Sequence, residues 1–200
     1  MDLSTYLLAA IVSWLPAGQP PSSEMAIRQK SVADDVAAVA SDEAEPVIWK
    51  EGRVMSGLVL ASLAVLEGGM SRYVDSGECN DRKWRERNRL ALAAGDCDGG
   101  RAYSLWQIHG GGGLVLLASG GYVSRGQAGS EQEGSQLVTA QDLITDRKIA
   151  AKTALHMIRV SVKQSGGLCG YTGERGECPK AKARLEKAKS YLRAHPYLTD

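Results

Sequence analysis

From Ser56 to Leu66 the chain reads SGLVLASLAVL, in which Leu58, Val59, Leu60, Leu63, Val65 and Leu66 fall on almost every side of a helix. A helix with no polar face belongs in the middle of a domain. Gly68 and Gly69 follow directly and predict its end. Upstream, TYLLAAIVSWL predicts a first helix, too short to span a bilayer and broken by AGQPP at Ala17 to Pro21. Ser22 or Ser23 then caps a second helix, in which Met25, Ile27, Val32, Val36 and Val39 recur at mostly helical spacing up to SDEAEP. Asp34, Asp35, Asp42, Glu43 and Glu45 are expected on its solvated face.

Downstream, Thr139 and Asp142 make a capping-box-like start to a long helix. Its buried stripe is Leu143, Ala150, Ala154, Leu155, Ile158 and Val162, and Gly166 and Gly167 end it. Pro179 opens a last helix with Leu185, Ala188 and Leu192 turned inward. No period-2 run of any length and no internal repeat interrupts these patterns. The expected class is all-α, or a mainly helical α+β fold at most. The expected organisation is an N-terminal helix and Pro-rich linker over residues 1–21, followed by one domain over residues 22–200.

Composition narrows the classes. Two hundred residues can bury a substantial core. A net charge of +1 gives no general case for nucleic acid or another partner recognised by bulk electrostatics. The four cysteines form two local pairs in the sequence, Cys79 with Cys97 and Cys169 with Cys178, although three pairings are formally open. Two loop-closing disulfides are the expectation, and they imply an oxidising compartment. Neither pair has CxxC spacing, and His109, His156 and His195 are scattered, so neither a metal nor a cofactor is expected.

Candidate chemistry centres on Glu67. A carboxylate at the negative end of a helix dipole, beside apolar neighbours, is pushed toward its protonated form. That form is what a general acid requires. By position alone, an exposed Glu on a frayed last turn is equally compatible. Beyond it, Arg82, Lys83, Arg85, Arg87 and Arg89 surround Trp84, a pattern that suits either a patch for an anionic polymer or, slightly favoured, an exposed helix whose Trp84 folds back onto the core. The segment GDCDGGRAYSLWQIHGGGG follows, with Asp96, Asp98 and Gln107. A bridge from Cys79 to Cys97 would tie this loop back to the end of the Glu67 helix. The HGGGG run at His109 has no GxSxG partner, which excludes an esterase oxyanion loop. Residues 110–134, rich in Gly and Ser, fit a mobile loop over a groove or a polar linker.

The order of these pieces resembles the soluble lytic transglycosylase domain, a relative of goose-type lysozyme. Its pattern is a buried helix ending in Glu-Ser, a Gly-Ala-x-Gly-Leu-Met/Trp-Gln segment, and a Tyr-Asn-x-Gly loop after a long helix. The matching stretches are LEGGM from Leu66, RAYSLWQ from Arg101 and GYTGERG from Gly170, and the similarity covers Ser22 to Leu192. The resemblance implies a lysozyme-like fold, with Glu67 as catalytic acid/base, Gln107 as the amide that contacts sugar, and Tyr171 as the phenol against the Glu. Ser104, Asp96 and Asp98 are expected to line the same groove. Gly68 stands where the family has Ser, Arg101 and Ser104 replace glycines, and Thr172 replaces Asn. These departures fall on the shell that would orient Glu67.

The implied substrate is the glycan strand of peptidoglycan, cut at the β-1,4 bond between N-acetylmuramic acid and N-acetylglucosamine. A hydrolytic lysozyme or endolysin, with Asp96 or Asp98 activating water, is the first alternative. A catalytically inactive glycan-binding or assembly module is the second, and a structural helical domain fixed by disulfides is the third. The implied setting is the periplasm or the extracellular face of the cell wall, reached through a delivery machine or a phage virion, since no clear signal peptide is read at the N-terminus.

Overall fold

Because α3 (Arg53–Leu66) has no polar face, the other long helices are arranged around it. Every residue from Met55 to Val65 is buried. Four helices pack on it: α1 (Leu3–Trp14), α2 (Ser23–Ser41), α7 (Arg147–Ser165) and α9 (Pro179–Ala194). The computed structural model describes residues 1–16, 21–88, 96–109, 114–116, 122–124, 136–174 and 176–197. Within these the protein is mostly helical. The short helices α4 (Arg72–Asp75), α5 (Arg82–Arg87), α6 (Ala140–Thr145) and α8 (Cys169–Thr172) join the long ones.

The apolar stripe of α1 shares one hydrophobic cluster with α2, α3 and α7, through Tyr6, Leu7, Ala10 and Ile11. A Cβ on Gly57 would lie 3.1 Å from Leu7 Cδ1, so the absence of a side chain there lets α1 seat closely on α3. On α2, Val32, Val36 and Val39 are buried as expected, but Ile27 is 71% exposed. It lies outside the stripe that Val32 and Val36 define. Trp84 packs partly buried against the core and against Tyr73, with ring centroids 4.8 Å apart.

The acidic residues of α2 are not all a solvated face. Asp35 and Asp75 both bind Arg147, each through an oxygen 2.8 Å from the guanidinium, and this ties α2 and α4 to the start of α7. Ser31 accepts a further N–H from Arg147 at 2.8 Å. Glu45 is buried and pairs with Arg159 of α7 at 2.5 Å. Arg53 donates to the carbonyls of Asp42 and Glu45, which fixes the α2–α3 turn at the head of the central helix.

The capping box at Thr139 and Asp142 is present, but it opens only α6. Asp146 adopts extended geometry, φ −128 and ψ 103, and its carboxylate accepts the N–H groups of Lys148 and Ile149 to start α7 afresh. The expected single long helix is thus two, because a second N-cap competes with continuation.

Short strands occur where no period-2 run is legible. The strands β1 (Ala102–Tyr103) and β2 (Ile108–His109) pair antiparallel. In the Gly-rich stretch, β3 (Leu114–Leu116) pairs with β4 (Tyr122–Ser124) and with β5 (Gln136–Leu137), so the central strand is β3. The rest of residues 110–134 lies outside the described residues, as does Arg89.

Both local cysteine pairs form disulfides, Cys79–Cys97 with Cα atoms 6.0 Å apart and Cys169–Cys178 with Cα atoms 5.5 Å apart. Closing loops of this length stabilises the fold by about 3 kcal/mol each in the chain-entropy account.

Replacing Arg147 by Met takes this cation from Asp35 and leaves Asp75 with Arg28, 3.8 Å away, and is expected to cost about 2 kcal/mol, below the full penalty of a buried pair because water still reaches the site. Urea denaturation checks this. An unchanged midpoint would mean that the junction of α2, α4 and α7 does not depend on the ion pairs.

Candidate functional site

Glu67 caps the C-terminal end of α3, its N–H donating to the Leu63 carbonyl at 2.7 Å. Its side chain is 22% exposed. The backbone turns at once, through Gly68 and Gly69, and Gly68 is buried. A Cβ on Gly68 would sit 2.6 Å from the Leu105 carbonyl oxygen and 2.7 Å from the Leu105 Cα. No side chain fits that gap without moving backbone. The glycine at position 68 therefore allows the Leu105 segment to press directly on the end of α3.

Trp106 anchors that segment. It is fully buried, and its indole N–H donates to the Leu60 carbonyl at 2.9 Å. A buried indole needs such an acceptor, and the helix supplies one about two turns before Glu67. On the other side, the Trp106 carbonyl accepts the Tyr171 hydroxyl at 2.7 Å. Tyr171 is placed by α7: Ser161 Oγ accepts its backbone N–H at 3.2 Å and donates to the Gly167 carbonyl at 2.7 Å. Burial pushes the Tyr171 phenol well above its ordinary value, and the Glu67 carboxylate adds to the shift while Arg184 opposes it. The phenol is therefore neutral and acts as a donor.

The stretches LEGGM, RAYSLWQ and GYTGERG thus meet in space. Leu105 lies on Gly68, Tyr171 bonds Trp106, and Tyr171 and Glu67 are electrostatic neighbours.

The remaining candidates are less uniform. Gln107 is part buried with φ 49, and its amide donates to the Ser104 carbonyl at 3.0 Å, beside Cys97. Ser104 is buried with φ 62, and its hydroxyl accepts the Trp106 N–H at 3.4 Å. It shapes the turn that carries Gln107. Asp98 is exposed with φ 42 and faces His109 Nε2 at 3.5 Å. Asp96 opens a 3-10 turn over Asp96–Gly100, and its side chain lies outside the described residues. Met70, Cys97, Asp98, Ser104 and Gln107 all have positive φ without being glycine. Such backbone costs about 1–3 kcal/mol per residue and gathers where a structure must hold a special shape. The basic segment contributes one structural member, Arg85, which donates to the carbonyls of Cys79 and Asn80 at 2.9 and 2.7 Å.

The sequence reading missed Arg184. Its Nε lies 2.6 Å from Glu67 Oε1, and its side chain is 10% exposed. The signal was present, since Ala181, Arg184 and Ala188 share the helical spacing of the inward stripe of α9. Glu67 therefore meets a cation as well as the apolar neighbours that its position predicts.

Among the described residues, no group of three or more His, Cys, Asp or Glu side chains could hold a metal ion. Comparison of the chain with protein-family models, with curated proteins and with solved structures returned no match.

Gly68→Ala should force the Leu105 backbone off the end of α3 and lower stability by about 2 kcal/mol, the usual cost of overpacking. Thermal and urea unfolding measure it. Wild-type stability in the variant would contradict the close approach.

Proposed function

We propose that the protein cleaves the β-1,4 bond between N-acetylmuramic acid and N-acetylglucosamine in peptidoglycan, as a lytic transglycosylase with Glu67 as its lone acid/base. The observation that carries this reading is the meeting of Glu67, the Leu105–Gln107 turn and Tyr171, three sequence-distant pieces held together by the Gly68 approach and the Tyr171–Trp106 bond. One carboxyl group at the end of a buried helix, beside a neutral phenol, suits proton transfer to a glycosidic oxygen.

In the first step Glu67 gives its proton to the leaving oxygen as the bond to the muramic anomeric carbon breaks. The substrate's own N-acetyl oxygen can stabilise the oxocarbenium-like centre, so a second enzyme carboxylate is not obligatory. Glu67, now a carboxylate, accepts the proton of the muramic 6-hydroxyl, whose oxygen closes on the anomeric carbon to give a 1,6-anhydro end. Hydrolysis is the second reading. It is favoured by Asp98, which stands exposed against His109 on the loop tied to Cys79, where a carboxylate can hold water. No cofactor enters either route. The lysozyme-like fold, the cell-wall location and delivery by a machine or virion belong to the same proposal.

Purified peptidoglycan digested by the wild-type protein should release soluble muropeptides with anhydro ends in mass spectra, and Glu67→Gln should lower release by about 100-fold or more. Reducing ends would replace transglycosylation by hydrolysis. Full turnover by Glu67→Gln would overturn the mechanism, and binding to walls without release would reduce the protein to a glycan-binding module.

A further inference from the structure

Helix α9 covers α3 and also delivers a guanidinium to the end of it. The carbonyl of Arg184 accepts the Ser62 hydroxyl of α3 at 3.4 Å, so the two helices are joined close to Glu67. The start of α9 is equally fixed. The Glu174 carboxylate accepts the N–H groups of Lys180 and Ala181 at 3.0 and 2.8 Å, and the Cys169–Cys178 bridge closes the loop that carries Tyr171 into this helix. With both the backbone and the helix start held, Arg184 is aimed at Glu67 rather than sampling the surface.

We propose that Arg184 is a positioning residue for Glu67, holding its carboxyl group in one orientation at the end of α3. The inference rests on the glycosidase reading. A guanidinium in contact stabilises the anion, and its planar fork fixes the orientation of the pair. Tyr171 on α8, which is neutral, also faces Glu67. Arg184 therefore keeps the Glu67 side chain pointed at one place through both proton transfers.

The test compares kcat and KM on purified peptidoglycan for wild type, Arg184→Lys and Arg184→Met, with each rate scaled to the folded fraction. Arg184→Met should lower kcat about 10-fold, because a misplaced acid/base loses its alignment with the reacting oxygen. Arg184→Lys keeps a cation and should recover part of that loss. KM should change little in either, because Arg184 acts through Glu67. A residue that only packs α9 on α3 would leave kcat per folded molecule unchanged, and wild-type kcat in Arg184→Met would overturn the proposal.

If the wild-type protein releases nothing, the glycosidase reading fails, and NMR of the arginine side-chain N–H groups still decides on the pair. The Arg184 signal should move across the carboxylate titration range in wild type and stay still in Glu67→Gln. Identical behaviour in both would remove Arg184 from Glu67.

Discussion

A helix with no polar face must be enclosed along its length, and α3 is enclosed by α1, α2, α7 and α9. Full enclosure leaves only the ends of the helix for polar chemistry. At the head, Gly52 and the Arg53 clamp on the α2 carbonyls deal with the chain reversal. At the tail, the next residue is Glu67. The burial of α3 thus fixes where the backbone of Glu67 stands, because moving it means moving a helix that touches most of the core.

What surrounds Glu67 follows from how the tail is closed. The absence of a Cβ at Gly68 lets the Leu105 backbone approach, Trp106 secures it through the Leu60 carbonyl, and Tyr171 secures it from the far side. The two disulfides act on the same region. One ties the loop before RAYSLWQ to the turn after α4, and the other closes the loop that bears Tyr171 and leads into α9. Each covalent link constrains a segment that carries a group next to Glu67. Positive φ values at Cys97, Asp98, Ser104 and Gln107 are the local cost of this shape.

The elements most legible in the sequence were those with a single dominant cause. Burial on all sides identified α3, Gly68 and Gly69 its end, and Pro179 the start of α9. Competition defeated the reading elsewhere. Asp146 offers an N-cap in the middle of an otherwise helical stripe, so α6 and α7 separate. Glu45 and Asp35 look like solvent-facing acids until Arg159 and Arg147, far along the chain, come to meet them. The two- and three-residue strands are too short to show a period. Arg184 was hidden by its type: an Arg at an inward helical position reads as surface unless a buried carboxylate is known to wait for it. The spacing was legible, and the partner was not.

The central claim is that the convergence at Glu67 is a glycan site. Its most direct test is a crystal structure of the Glu67→Gln protein soaked with a muramic-acid-containing glycan fragment. The account predicts a glycosidic oxygen within hydrogen-bond reach of the residue 67 side chain, about 3 Å away, with the Gln107 turn and the Tyr171 loop flanking the sugars. A fragment bound elsewhere on the surface, with the end of α3 empty, would contradict it.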